Sequence, residues 1–222
     1  MHWLLFNSGS SPAPFNMAVD ETLAEAAPRL GAPVLRFYGW TEPTASFGYF
    51  QKYEEVARAT LLRPLVRRPT GGGIVPHDAD WTYSIVFPAG HEWYRLSAVE
   101  SYRRVHEWIQ AAFASLEVAT ELARNCQRPA PGQCFIGHEK SDVLWRGKKI
   151  AGAAQRRMKT GLLIQGSVQP PPLSLSRADW ERAMVGVAGR TWRPLDPDSS
   201  LRSRAAGLVA EKYSQAGYLE RR

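Results

Sequence analysis

Between residues 81 and 87 apolar and polar positions alternate: Trp81, Tyr83, Ile85 and Phe87 are interleaved with Thr82, Ser84 and Val86. A period of two predicts a strand. After Ser97 the period changes. Tyr102, Val105, Ile109, Phe113 and Leu116 recur every three or four residues, which predicts a core-facing helix, and Ser97 with Glu100 forms an S-x-x-E capping box at its start. Residues 34–40, VLRFYGW, are aromatic and branched and predict a second strand. MAVDETLAEAA predicts a short helix with Asn16 as its cap and Asp20 and Glu21 near its positive end. Pro43 and Gly48 punctuate a loop before YFQKYEEVA.

In the second half, SDVLW and KKIAGAAQR flank Arg146-Gly147 like the arms of a hairpin, and GLLIQGSV follows as another strand. The prolines at 170–172 end that strand, because proline donates no ladder hydrogen bond. Two helices are expected to close the chain, one after Ser176 and one from near Leu201, where Ala205, Leu208 and Val209 continue an apolar face. Strands and helices intermix without repeats, so the class is α/β or α+β in one domain.

Composition narrows the function classes. The 222 residues are 44% hydrophobic and 22% charged, as in an ordinary soluble globular protein. HWLLF is too short for a membrane span or a signal-peptide core, and nothing later approaches the required length, so a cytoplasmic protein is expected. The net charge of +7 points to an acidic partner. The basic residues are scattered and form no nucleic-acid motif, so an acidic protein fits equally well. Cys126 and Cys134 do not make a disulfide scaffold, and with five scattered His they give no zinc-like spacing.

Two constellations could carry chemistry. In RRPTGGG, Gly71, Gly72 and Gly73 expose successive backbone N–H groups to an anion or carbonyl, and Arg67 and Arg68 can bind phosphate or carboxylate. A β-turn with surface arginines explains the same residues. The stretch lacks the G-K-[ST] ending of a nucleotide-binding P-loop and is not a dinucleotide fingerprint. The other constellation is Cys134 with Lys149. A thiolate needs a positive neighbour near neutral pH, and a lysine in an apolar pocket becomes a proton shuttle. Spacing alone does not bring the two together.

The blocks RRPTGGGIVPHDADWTYSIVF, CFIGHEKSDVLWRGKKIAGAAQRR and GLLIQGSV, with NMAVDETL and VLRFYGWTEPTASFGYFQ before them in order, resemble the lipoate–protein ligase and octanoyltransferase family. The family shares a fold with the biotin–protein ligases. The resemblance implies an α+β fold, a mixed, mostly antiparallel sheet flanked by helices. It also implies one catalytic domain over residues 1–222, with 170–222 as a C-terminal helical extension.

Cys134-Phe135 stands eight residues before Asp142-Val143, which is similar to the cysteine-dependent octanoyltransferases. That resemblance implies Cys134 as the nucleophile that takes an octanoyl group from acyl carrier protein. The acceptor would be a lysine of a lipoyl-domain protein such as glycine cleavage H protein or a 2-oxoacid dehydrogenase acyltransferase subunit. Lys149 would bond the acyl carbonyl and assist proton transfer. The acyl chain would lie in an apolar tunnel beside Gly71, Gly72 and Gly73, with Arg67, Arg68, Gly152 and Gln165 also at the substrate. His77 and Asp78 would order the loop, a local His–Asp hydrogen bond without substrate contact being an equal reading.

No cofactor, nucleic acid or membrane partner is implied. His138-Glu139, Ala153 and Gln165 depart from the family's usual residues and bear on which acyl group or acceptor is used. The runner-up is an ATP- and magnesium-dependent lipoate or octanoate ligase, in which Arg67, Arg68 and Lys149 would hold the adenylate. A non-catalytic acyl- or lipoyl-domain-binding homologue is the third reading.

Overall fold

The structure is a computed structural model and describes residues 2–127, 135 and 137–221. The chain opens with β1 (His2–Ser11), α1 (Ala13–Leu30) and β2 (Val34–Trp40). A small unit follows: β3 (Thr44–Phe47), α2 (Tyr53–Ala59), β4 (Leu65–Arg67) and β5 (Val75–His77). Next come β6 (Trp81–Pro88), α3 (Glu92–Arg95), α4 (Ala98–Ser115), β7 (Glu121–Leu122), β8 (Val143–Trp145), β9 (Lys148–Met158) and β10 (Gly161–Val168). The chain closes with α5 (Arg177–Val187), β11 (Thr191–Pro194), α6 (Ser199–Leu208), a π-helical turn at Val209–Tyr213, and α7 (Ala216–Leu219).

The large sheet runs β11-β1-β2-β6-β10-β9-β8-β7, and the small one β4-β3-β5. Among the described residues, pairing is parallel only at β1–β11, β1–β2 and β3–β4. The fold is therefore α+β with a mixed, mostly antiparallel sheet between helices, as expected.

Alternation along β6 and β10 sends its two side-chain sets to different helices. Tyr83, Ile85, Phe87, Leu162 and Ile164 pack with Val105, Ile109 and Phe113 of α4 and with Trp180 of α5. On the other face, Val34, Val86 and Leu163 pack with Val19, Leu23 and Ala27 of α1. Ser97 caps α4 as predicted, its Oγ accepting from the Glu100 N–H at 3.1 Å. The hairpin turn falls at Arg146-Gly147, both with positive φ (49° and 76°).

Three local readings need correction. Helix α1 begins at Ala13, so Asn16 is not its cap. Its side chain is buried, donating to the Ser11 and Gly39 carbonyls at 3.0 and 2.8 Å and accepting from Arg36 at 2.8 Å. The stretch bracketed by Pro43 and Gly48 is a strand, β3, rather than a loop. Between the two C-terminal helices runs β11, which extends the large sheet beside β1. No helix among the described residues is long and apolar enough to cross a membrane.

Candidate active site

The site follows from strand register. Val86 pairs with Leu163, and Leu163 with Arg156; one row on, Ser84, Gln165 and Ala154 are aligned; the row after holds Thr82, Ser167 and Gly152. Directly paired residues share a face. Helix α1 covers the first row with apolar side chains and reaches the second with Asp20. The third row carries only small residues. There the sheet faces β3–β5 and the glycine loop, and a cavity opens of about 470 Å³, counting the solvent at its mouth. Met17, Tyr38, Trp40, Val75 and Phe135 supply apolar walls, and Ser46, Arg68, His77, Lys149 and Gln165 supply polar atoms.

Lys149 is, with Arg68, a buried cation of this cavity. Its Nζ lies 2.8 Å from Oδ2 of Asp142, with side-chain exposures of 6% and 0%. A buried charge is tolerated when an opposite charge and hydrogen bonds compensate it. Asp142 does this with both oxygens engaged. Oδ2 also accepts the Glu139 backbone N–H at 2.6 Å, and Oδ1 accepts the Tyr102 hydroxyl. Burial, reinforced by the Asp142 charge, raises the Tyr102 pKa well above its usual value, so the hydroxyl stays a donor.

His106 completes the buried cluster one helical turn on, its Nδ1 2.8 Å from the Tyr102 carbonyl. Burial pushes its pKa down to about 4, against the opposing pull of Asp142, so the ring is neutral. Gly152 makes room for all this. A Cβ there would sit 2.6 Å from Lys149 Cε, 2.7 Å from Nζ and 3.2 Å from Asp142 Oδ1. With one N–H committed to Asp142, an ammonium has two more to offer a carbonyl oxygen.

The glycine triplet is held rather than loose. Arg68 donates to the Gly71 and Gly73 carbonyls at 2.9 and 2.8 Å and to Ser46 Oγ at 2.8 Å. Gly72 lines the cavity, and its carbonyl packs so tightly on Gly48 that a Cβ at Gly48 would come within 1.9 Å. Arg67 points elsewhere. It donates to the carbonyls of Tyr49, Gln51, Tyr218, Leu219 and Arg221, tying the C-terminal segment to β4.

His77 and Asp78, adjacent in sequence, separate in space. His77 is buried on the cavity wall, and Asp78 is exposed. The carboxylate bonded to His77 is Asp80, at 2.8 Å from Nδ1, with Ser46 Oγ 2.6 Å from Nε2. Gln165 is clamped, donating to Asp20 and accepting from the Thr70 hydroxyl, both at 2.8 Å. Asp20 is held in turn by Arg36, Ser84 and Tyr38.

Lys149, Arg68, Gly72, His77, Gly152 and Gln165 thus share one cavity; Arg67 and Asp78 do not line it. Cys134 lies outside the described residues. Phe135, the next residue, does not: the Lys149 Nζ lies 5.0 Å from its ring centroid. Cys126 is exposed. Sequence reasoning missed Asp142, Tyr102, Ser46 and Asp80. Asp142 sat in a block already singled out, and an acid beside a strand that leads to a buried lysine was its one usable signal.

Three kinds of similarity bear on this site. The profile of the family described as "Lipoyl protein ligase A/B catalytic domain" matches residues 12–169. Two curated proteins named octanoyltransferase LipM, from Halalkalibacterium halodurans and Geobacillus kaustophilus, are 35% and 36% identical over 179 residues. Each match covers 75% of this chain and 65% or 64% of the relative, so the chain spans slightly less than two thirds of their length. Among solved structures, Ta0514, a putative lipoate protein ligase from T. acidophilum, superposes over all of both chains with a TM-score of 0.83 at 20% identity. A lipoate-protein ligase A bound with ATP superposes with a TM-score of 0.82 at 21% identity, over 99% of each chain. At these identities the two structures speak for the fold alone.

Proposed function

Because the chain belongs to the lipoyl protein ligase A/B catalytic domain family, we propose that it is an acyltransferase of lipoate biosynthesis. It moves an octanoyl group from acyl carrier protein, through a thioester on Cys134, to a lysine of a lipoyl domain. The observation that carries this reading is the Asp142-compensated ammonium of Lys149 in a largely apolar cavity, beside the ring of the residue that follows Cys134. The names of the relatives support the octanoyl group.

In the first half-reaction the Cys134 sulfur attacks the carrier thioester, a new C–S bond forms, and the carrier's C–S bond breaks to release its thiol. In the second, the acceptor amine attacks the Cys134 thioester and the sulfur leaves. Exchange between thioesters is nearly isoenergetic, so positioning and an activated thiolate suffice and no nucleotide is used. Lys149 donates to the acyl oxygen as negative charge develops there. The acyl chain follows the small side chains at Gly152, Ala154 and Ser167 and runs under Gly72. The net charge of +7 speeds encounter with acidic carrier and acceptor proteins more than it tightens binding.

Incubation with octanoyl-carrier protein and a lipoyl domain, without nucleotide, is expected to add one octanoyl mass to the domain and to leave hydroxylamine-labile acyl on Cys134. Lys149→Ala should lower the loading rate by about 10²–10³. Modification that requires octanoate, ATP and magnesium would assign the chain to the ligases instead. No modification of the domain under either condition would leave the non-catalytic reading.

A further inference from the structure

In the cavity that Lys149 lines stand Ser46 and His77, which with Asp80 form a line of three side chains from separate elements. Ser46 of β3 lies 2.6 Å from His77 Nε2, and His77 of β5 lies 2.8 Å through Nδ1 from Asp80, just before β6. All are buried. Asp80 Oδ2 accepts from Thr82 at 3.0 Å and Ser167 at 2.6 Å, and as a carboxylate it can only accept from His77 Nδ1 as well. Ser46 Oγ accepts from Arg68 at 2.8 Å, which leaves its own hydrogen available to Nε2. The imidazole is held flat by Trp40, stacked at 4.0 Å between centroids.

His77 lines two cavities at once: the inner one with Ser46 and Lys149, and an outer polar cleft with Glu42, Asp78 and Arg177. The charged groups facing it are therefore Asp80 directly, Arg68 through Ser46, Lys149 across the inner cavity, and Glu42, Asp78 and Arg177 on the outside.

An amine acceptor needs such a path, and a thioester exchange does not. A lysine arrives as an ammonium. Amide formation makes a C–N bond, breaks the C–S bond and, with the thiol reprotonated, releases one proton per turnover. Thiol-for-thiol exchange releases none. We propose that Ser46, His77 and Asp80 form a proton exit that carries this proton from the inner cavity to the outer cleft. Ser46 Oγ takes the proton from the attacking nitrogen as its own hydrogen passes to Nε2. The resulting imidazolium then gives its Nδ1 proton to Asp80, which lines the outer cleft and releases it to solvent there. Ser46 is thus a catalytic residue of the second half-reaction, His77 and Asp80 act through it as positioning residues, and the assignment rests on the acyl-transfer reading above.

The test separates the half-reactions. The octanoyl thioester is formed on the wild-type protein and on His77→Gln, and its decay is followed by intact mass with either a lipoyl domain or hydroxylamine, which is already neutral at pH 7. For His77→Gln, transfer to the domain is expected to slow by about 10²-fold or more, while release to hydroxylamine stays within about twofold. The defect should shrink as pH rises toward the lysine's own range near about 10.4. Ser46→Ala, which leaves the His77–Asp80 bond intact, is expected to repeat the pattern and serves if His77→Gln does not fold. Equal losses to both nucleophiles, or a defect independent of pH, would overturn the relay alone. If the wild-type protein forms no acyl thioester at all, the transfer reading falls and the relay with it.

Discussion

Replacing Gly152 by alanine tests whether the position of the Lys149 ammonium, rather than its mere presence, governs acyl loading. The added Cβ would stand 2.6 Å from Lys149 Cε and 2.7 Å from Nζ. Carbon contacts are comfortable from about 3.5 Å, so the end of the side chain must retreat by roughly 1 Å. The Nζ–Asp142 distance is 2.8 Å, and a retreat of that size takes it past the hydrogen-bonding limit of about 3.2 Å. Because the obstructed atoms end a flexible side chain, the fold should survive, at an overpacking penalty of about 1–3 kcal/mol. In a chain of this size that lowers Tm by roughly 2–12 °C.

Loading should suffer more, since a displacement of about 1 Å in a catalytic group can cost about 10²-fold in rate. Single-turnover appearance of acyl on Cys134, read by intact mass, gives the rate; circular dichroism gives Tm. Lys149→Ala with and without Gly152→Ala closes the cycle: if glycine acts only by admitting the ammonium, the double variant loads no slower than Lys149→Ala alone. Wild-type loading in Gly152→Ala, or additive losses in the double variant, would refute the reasoning.

Two further predictions concern stability. His106 is buried with a pKa pushed down to about 4, whereas the unfolded imidazole titrates near about 6.5; between those values only the unfolded chain binds the proton, so stability falls as pH drops, by up to about 3 kcal/mol. Urea unfolding at pH 7 and pH 4.5 should show this loss in the wild-type protein and much less of it in His106→Leu. Arg67→Met, which strips five backbone carbonyls of their shared donor, should cost roughly 2–4 kcal/mol and expose the C-terminal segment to proteolysis while leaving the cavity wall intact. Limited digestion followed by mass spectrometry checks it, and unaltered cleavage kinetics would count against this role of Arg67.

What could be read from the sequence tracks how local each interaction is. β6 and α4 announced themselves because one period runs through each and both faces are satisfied by their own sheet or helix neighbours. Strand β11 carries no such pattern: Thr191, Arg193 and Pro194 are exposed, and the strand exists because β1 offers it an edge. Asn16 looked like a cap because a polar residue ahead of an apolar helix usually is one; its partner Arg36 comes from a strand that the sequence gives no reason to place there. The site sharpens the contrast. Lys149 and Gly152 stood in one readable block, while the Lys149–Asp142 bond depends on a register shift between Val143 and Leu144 that no residue spacing reports. The Ser46–His77–Asp80 line is less local still, since Pro43 and Gly48 make β3 look like a loop and the sequence points to Asp78 as the neighbour of His77. The bend at 78–79 decides otherwise: it leaves Asp78 facing solvent, and alternation into β6 then puts Asp80 on the inward side with Thr82, beside Ser167. The chemistry at this cavity is therefore assembled by register and sheet packing around positions where glycine leaves space, and a motif names its members without saying which of them meet.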